Sequence, residues 1–280
     1  MKLGLGTVQF GQTYGVSNAR GQVPAEEAAA ILARAADGGV ALLDTAANYG
    51  EAEAVLGAMD LSAFRIVTKT IALKHGLDAV IARARRSMAI LGRVDLLLVH
   101  AAGDLLGPGG EALWSALRDL KDKNVVGGIG ISAYVAEDPA ALAARFRPDA
   151  MQVPFSVLDQ RLLASEALGR MKELGVEVHA RSLFLQGLLF LPAERLPDKL
   201  RPAAPRLQTV RARIAAAGST PLAAALAFVR SRPEIDIGLV GVTSLPELDG
   251  ILAAAQAPLP DLDWSACALA DETTLTPSLW

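Results

Sequence analysis

The chain has 280 residues, 52% of them hydrophobic, with 27 basic against 30 acidic side chains. That length and apolar fraction are enough for one large core in the range where α/β barrels form a single domain, so one domain over 1–280 is expected. The balanced charge, without any basic block interleaved with aromatics, excludes a nucleic-acid surface, and the single cysteine, Cys267, excludes an internal disulfide and a cysteine-based zinc site.

The opening MKLGLGTVQFGQ has no apolar core of signal-peptide length, and no later run approaches the ~20 apolar residues that a bilayer-spanning helix needs. A cytoplasmic protein with no membrane partner is expected. No His, Cys, Asp and Glu spacing suggests a metal site, and Cys267 reads as a structural thiol.

Leu3 to Val8 is a short apolar run broken by Gly4 and Gly6, which suits a strand that lets another group approach its backbone. A loop over 9–22 follows. Pro24 and the acidic first turn of the Ala-rich stretch 25–37 predict a helix, stopped by Gly38 and Gly39. Val40 to Thr45 is the second strand. The unit then recurs: helix 51–59, strand 64–70, helix 77–91, strand 94–100, helix 111–122, strand 125–132, helix 138–146, strand 151–155, helix 163–174 and strand 176–182. Between 183 and 217, Pro192, Pro197, Pro202 and Pro205 discourage a continuous helix and predict an excursion over a barrel mouth. Helix 221–231, strand 235–242, helix 246–256 and a Pro-containing tail complete the chain.

Continuous apolar strands alternating with amphipathic helices mean a parallel sheet with helices outside. Eight such strands, with no break in composition and no Gly-x-Gly-x-x-Gly after the first, favour closure into a (β/α)₈ TIM barrel over an open doubly wound sheet. Functional groups in such a barrel lie where strands end. Asp44 follows the second strand, Lys69 ends the third, His100 ends the fourth, and Tyr49 lies in the loop after Asp44. A strand-end carboxylate left buried and alone is costly, so Asp44 requires a partner. A free phenol ionises near pH ~10 and is a poor proton donor at neutral pH unless a cation stabilises the phenolate. Lys69 can supply that cation, Asp44 can hold Lys69, and His100 can fix a carbonyl oxygen or share in a proton relay.

LDTAANYG (43–50), VTKT (67–70), DLLLVH (95–100), GIGIS (128–132), MQVPFSVLDQR (151–161), ARSLFLQGLL (180–189) and GLVGVTSLPEL (238–248) cover nearly the whole chain. In their order and spacing the chain resembles the aldo-keto reductases. The resemblance implies a catalytic tetrad of Asp44, Tyr49, Lys69 and His100 with Tyr49 as general acid, and hydride delivery from NADP(H) or NAD(H). Carried over by position, Ser132 and Gln152 would hold the nicotinamide carboxamide. Ser182 and Leu183 would lie along the pyrophosphate, and Gly241, Thr243 and Ser244 would approach the adenosine phosphate.

Three departures from that family pattern stand out. The first strand starts at the N-terminus without the hairpin that plugs the barrel floor in many members. The Lys or Arg that commonly holds a 2′-phosphate is missing near 241–247, where Glu247 stands instead, which leaves NAD(H) an open alternative to NADP(H). Ala133 replaces an Asn, and Arg181 stands where an aromatic ring often stacks on the nicotinamide; Arg181 either stacks there or binds an anionic substrate group.

The expected function is an NAD(P)H-dependent interconversion of a small-molecule aldehyde or ketone, sugar-like in one version, and its alcohol, by a monomer or homodimer. The competing readings are a non-redox epimerase or lyase using the same tetrad, and a regulatory subunit that retains a cofactor pocket. Tyr14, Tyr134, Trp264 and Trp280 are candidate aromatics of the mouth; His75 and His179 read as ordinary. Substrate choice is expected in loops 101–110 and 183–205 and in the tail.

Overall fold

In β4 (Leu96–Val99) all four side chains are buried, and they divide by period two: Leu97 and Val99 pack under the helices, while Leu96 and Leu98 point into a second apolar cluster. That second cluster, Leu42, Val67, Leu96, Leu98, Ala150, Ile237 and Leu239, fills the lumen of a barrel. The computed structural model describes residues 1–280, with the side chain of Ser278 outside the described set. The other strands are β1 (Lys2–Gly6), β2 (Leu42–Asp44), β3 (Arg65–Lys69), β5 (Ile129–Ser132), β6 (Ala150–Pro154), β7 (Glu177–Arg181) and β8 (Ile237–Gly241). They pair in parallel in sequence order, and β8 closes on β1.

The principal outer helices are α1 (Ala25–Asp37), α2 (Ala52–Gly57), α3 (Leu77–Leu91), α4 (Gly110–Asp122), α5 (Pro139–Phe146), α6 (Ala167–Glu173), α7 (Ala204–Ala216), α8 (Pro221–Arg230) and α9 (Leu245–Ala254). No single helix among the described residues is long and apolar enough to cross a membrane. Two expected elements differ from the structure. The helix read over 163–174 is two pieces, Arg161–Ala164 and α6, with Glu166 between them at φ 57°. The Pro-rich excursion holds the 13-residue helix α7: Pro202 precedes it and Pro205 lies in its first turn, where a missing N–H and a fixed φ start a helix instead of breaking it. The strands are also shorter than expected, since only the paired segments of tilted staves count.

The lumen packs closely on Gly4: a Cβ there would come within 2.7 Å of Leu239 Cδ2, and that side chain would have to shift. Below this layer a charged pair crosses the floor of the barrel. Arg65 on β3 reaches across to Glu177 on β7 with two hydrogen bonds of 2.8 and 3.0 Å, and buried His179 contributes its Nε2 to the same carboxylate at 3.1 Å. Burial opposes the Glu177 charge, yet the hydrogen bonds from His179 and Arg65 prevail and hold the carboxyl at about 2. His179 is therefore part of the floor, not an ordinary core histidine.

Candidate active site

Period two carries the lumen pattern upward into the mouth. Asp44 is two residues beyond Leu42, Lys69 two beyond Val67, His100 two beyond Leu98, Gln152 two beyond Ala150 and Gly241 two beyond Leu239. The same alternation places Ser132 above Gly130 and Arg181 above His179. Polar residues that look scattered over two hundred positions thus form one layer at the C-terminal end of the barrel.

Lys69, 1% exposed, donates through Nζ to Asp44 Oδ2 at 2.6 Å, to the Thr45 carbonyl at 2.9 Å and to the Tyr49 hydroxyl oxygen at 3.4 Å. Burial alone would lower the lysine's pKa, but the adjacent Asp44 carboxylate outweighs it and keeps the ammonium above its ordinary value. The second Asp44 oxygen accepts from Gln152 Nε2 at 2.6 Å. The amide nitrogen expected to face a carboxamide is therefore committed to the tetrad carboxylate. The Tyr49 ring meets the His100 ring edge-on with centroids 5.8 Å apart. Burial, and then the Lys69 charge, push His100 down to about 4, so its imidazole is neutral at physiological pH and offers a neutral hydrogen bond. A neutral imidazole can hydrogen-bond a carbonyl oxygen without adding a second positive charge beside Lys69.

A second polar network behind the barrel wall holds these groups in place, and nothing in the sequence marks it. Glu53 on α2 is 3% exposed and accepts from Thr68 Oγ1 at 2.6 Å, from Arg83 Nη2 at 2.6 Å and from Ser87 Oγ at 3.0 Å. Arg83 on α3 also donates to the carbonyl of Ala47 at 3.2 Å. The network thus ties the residue before Lys69 to the loop that carries Tyr49. The next residue, Gly50, has φ 53° and packs against the Gly11 backbone, a close approach that a Cβ would prevent.

The tetrad residues Asp44, Tyr49 and His100 line a cavity of ≈ 700 Å³ that continues past Ser182, Leu183 and Gly241 to Thr243 and Glu247. Ser132, Gln152 and Arg181 also line it, and Ser244 lies buried beside its far end. Gln9, which no motif singled out, faces the wall with its Oε1 buried and unpartnered. Tyr14, Tyr134, Ser17 and Gln186 belong to the rim, whereas Trp264 packs on Phe228 at 5.0 Å. Among the described residues, the wall takes nothing from 101–110 or the tail; the loop at 12–18 takes that place opposite residues 182–190. The two loops meet where Ser17 Oγ donates to the Gln186 carbonyl at 3.2 Å. Ser182, Leu185 and Gln186 all have left-handed φ, of 61°, 48° and 53°, a concentration of backbone strain directly over the cavity.

At the far end Ser244 caps α9, and the Glu247 carboxylate accepts from the Thr243 backbone N–H at 2.6 Å and from its hydroxyl at 3.0 Å. The N-terminus of α9, a place that favours anions, is filled by the chain's own carboxylate.

Comparison with known proteins agrees with this geometry. The family model described as "Aldo/keto reductase family" matches residues 2–272. An aldo-keto reductase of Mycolicibacterium smegmatis is 32% identical over 130 residues, which is 42% of this chain and 44% of that protein, so the match spans less than half of the relative. An aldo-keto reductase of Bacillus halodurans, solved in a holo form, superposes with a TM-score of 0.74 at 20% identity, covering 100% of this chain and 93% of that one. A Pseudomonas aeruginosa structure described as an aldo-keto reductase gives 0.65 at 23% identity, covering 90% and 88%. The closed eight-stranded barrel, the polar layer at its mouth and the match over residues 2–272 together make this chain a member of the aldo/keto reductase family.

Proposed function

We propose that the chain interconverts an aldehyde or ketone and the corresponding alcohol, with NAD(H) as the preferred dinucleotide. The observation that carries this reading is the Asp44–Lys69–Tyr49 hydrogen-bond chain, which opens beside a neutral His100 into a cavity long enough to reach Thr243 and Glu247. A bound reduced nicotinamide would supply hydride to the carbonyl carbon. The chain's own residues do the rest. His100 orients the carbonyl oxygen; the Tyr49 O–H bond breaks and its proton passes to that oxygen; Lys69 stabilises the phenolate left behind; Asp44 and Gln152 hold Lys69 in position.

The lining fits an extended dinucleotide. Ser132 stands at the nicotinamide end beside Gln152, whose amide nitrogen is already held by Asp44, the unpartnered Gln9 Oε1 offers an acceptor along the wall, and Gly241 leaves the strand end open where a Cβ would meet the Gln9 amide. The fit fails for a 2′-phosphate. Such a group carries about two negative charges and would face Glu247, with none of the basic side chains it prefers lining that end.

Titration with NADH and NADPH, followed by protein fluorescence, tests this together with turnover of a carbonyl panel. NADH should bind at least ~10-fold more tightly than NADPH, and Glu247→Gln, which retains a capping side chain, should narrow that gap. Failure of both dinucleotides to bind at millimolar concentration would contradict the redox reading, and tighter binding of NADPH would contradict the role given to Glu247.

A further inference from the structure

We infer that Arg181 forms a subsite for an anionic group on the carbonyl substrate, so that the preferred substrates are carboxylated aldehydes or ketones; this rests on the carbonyl-oxidoreductase reading above. Arg181 ends β7, and the strand's alternation directs it into the cavity mouth above His179. Its guanidinium lies 4.3 Å over the ring of Tyr134, and its one protein hydrogen bond is a long one, 3.5 Å, to the Ala133 carbonyl. The platform is fixed, because the Tyr134 backbone N–H donates to the Glu137 carboxylate at 2.7 Å.

What sets Arg181 apart is its place. Among the described residues no carboxylate lies within 4.0 Å of it, as is also true of the partly buried Arg206, Arg211, Arg230 and Arg232, but Arg181 alone of these lines the cavity. The two carboxylates that line the cavity are already engaged: Asp44 by Lys69 and Gln152, and Glu247 by Thr243 at the opposite end. A guanidinium presents a planar fork of donors suited to a carboxylate. The charge also bears on the reacting centre, since Arg181 helps to push His100 down, after burial and Lys69. Beside it Tyr14, a phenol 39% exposed on the rim, accepts from Gln186 Nε2 at 3.1 Å. The pocket end is therefore cationic at one point among neutral groups, polar ones such as Tyr14 and Gln186 and apolar ones such as Leu183 and Phe184. That arrangement selects an anion near the carbonyl.

The anion has two possible sources, the substrate or the dinucleotide pyrophosphate, and the experiment separates them. Steady-state kcat/KM is measured for matched carbonyl pairs: succinate semialdehyde and butanal, 4-carboxybenzaldehyde and benzaldehyde, glucuronate and glucose. Wild type should favour the carboxylated member of at least one pair by about 10- to 100-fold, mainly through KM, the range of a charge-assisted hydrogen-bond pair. R181Q should bring that ratio to about 1, and R181K, which keeps the charge without the fork, should restore part of it. NADH affinity, read by fluorescence, should differ little in R181Q. Equal use of both members by wild type would overturn the proposal. So would a loss of NADH affinity of tenfold or more in R181Q with the ratio intact, which assigns the guanidinium to the dinucleotide. If wild type reduces no carbonyl at all, the catalytic reading fails separately. Calorimetric titration with 4-(hydroxymethyl)benzoate against benzyl alcohol then decides the subsite: Arg181-dependent binding of the acid supports it, and no binding refutes it.

Discussion

Lys69 is bound into the fold at the point where the proposed proton transfer needs a cation. Its three ammonium protons are spent on Asp44, Thr45 and Tyr49, so the cation is fully satisfied inside the barrel. Lys69→Met would strand the Asp44 charge and should cost about 3–5 kcal/mol in urea unfolding; the double variant with Asp44→Asn should recover most of that stability and none of the turnover. His100 contributes through its neutrality. Its folded value of about 4 lies below the ordinary 6.5, so the unfolded state binds the extra proton between those values. The resulting stability is complete above pH 6.5 and is lost as pH falls towards 4. NMR titration of the His100 ring should show it uncharged down to about pH 4; a midpoint near 6.5 would contradict the burial argument. Asp44, Lys69 and His100 stood out in the sequence because each is a polar residue ending an apolar strand, and Tyr49 because it lies in the loop that follows Asp44. Gln152 was expected to hold a nicotinamide carboxamide; its bond to Asp44 joins positions 108 apart and needed the closed barrel to be seen.

At the scale of elements, the least legible feature is the Glu53–Arg83–Ser87–Thr68 network. On its own helix Glu53 reads as an ordinary solvent-facing acid, and its partners lie on β3 and α3. Glu53→Gln keeps the side-chain shape but weakens the hold on Arg83, and through it on Ala47 and the loop bearing Tyr49. Since Arg83 is partly exposed, the expected cost is about 1–3 kcal/mol, below that of a fully buried pair. The kinetic effect should be larger, a fall in kcat of about 10-fold or more with dinucleotide affinity little changed, because Tyr49 would no longer be held in register. A variant that lost stability without a change in kcat would show the network to be only structural. The segment 182–186 was hidden for a different reason: three non-glycine residues there adopt left-handed φ, and no local propensity announces that. The prolines around α7 misled because their effect depends on place, breaking a helix from inside and starting one from its first turn.

For the whole molecule, the barrel was readable from uninterrupted apolar strands alternating with helices, since only a sheet covered on both faces tolerates them. Its floor was not readable. Arg65 and Glu177 are 112 residues apart, and nothing but closure of the barrel sets them face to face, with His179 above. Polarity divides along the same axis: a charged pair at the bottom, an apolar lumen, and at the top a layer where Lys69 is compensated and Arg181 has no carboxylate within 4.0 Å among the described residues. The central claim is that this top layer delivers a proton from Tyr49 to a carbonyl oxygen. The most direct test is the steady-state rate of NADH-dependent carbonyl reduction by wild type and Tyr49→Phe, at equal saturation with dinucleotide. The account predicts measurable turnover by wild type and a loss of about 10²- to 10⁴-fold in the variant, with NADH affinity retained. Turnover by Tyr49→Phe at the wild-type rate would contradict it.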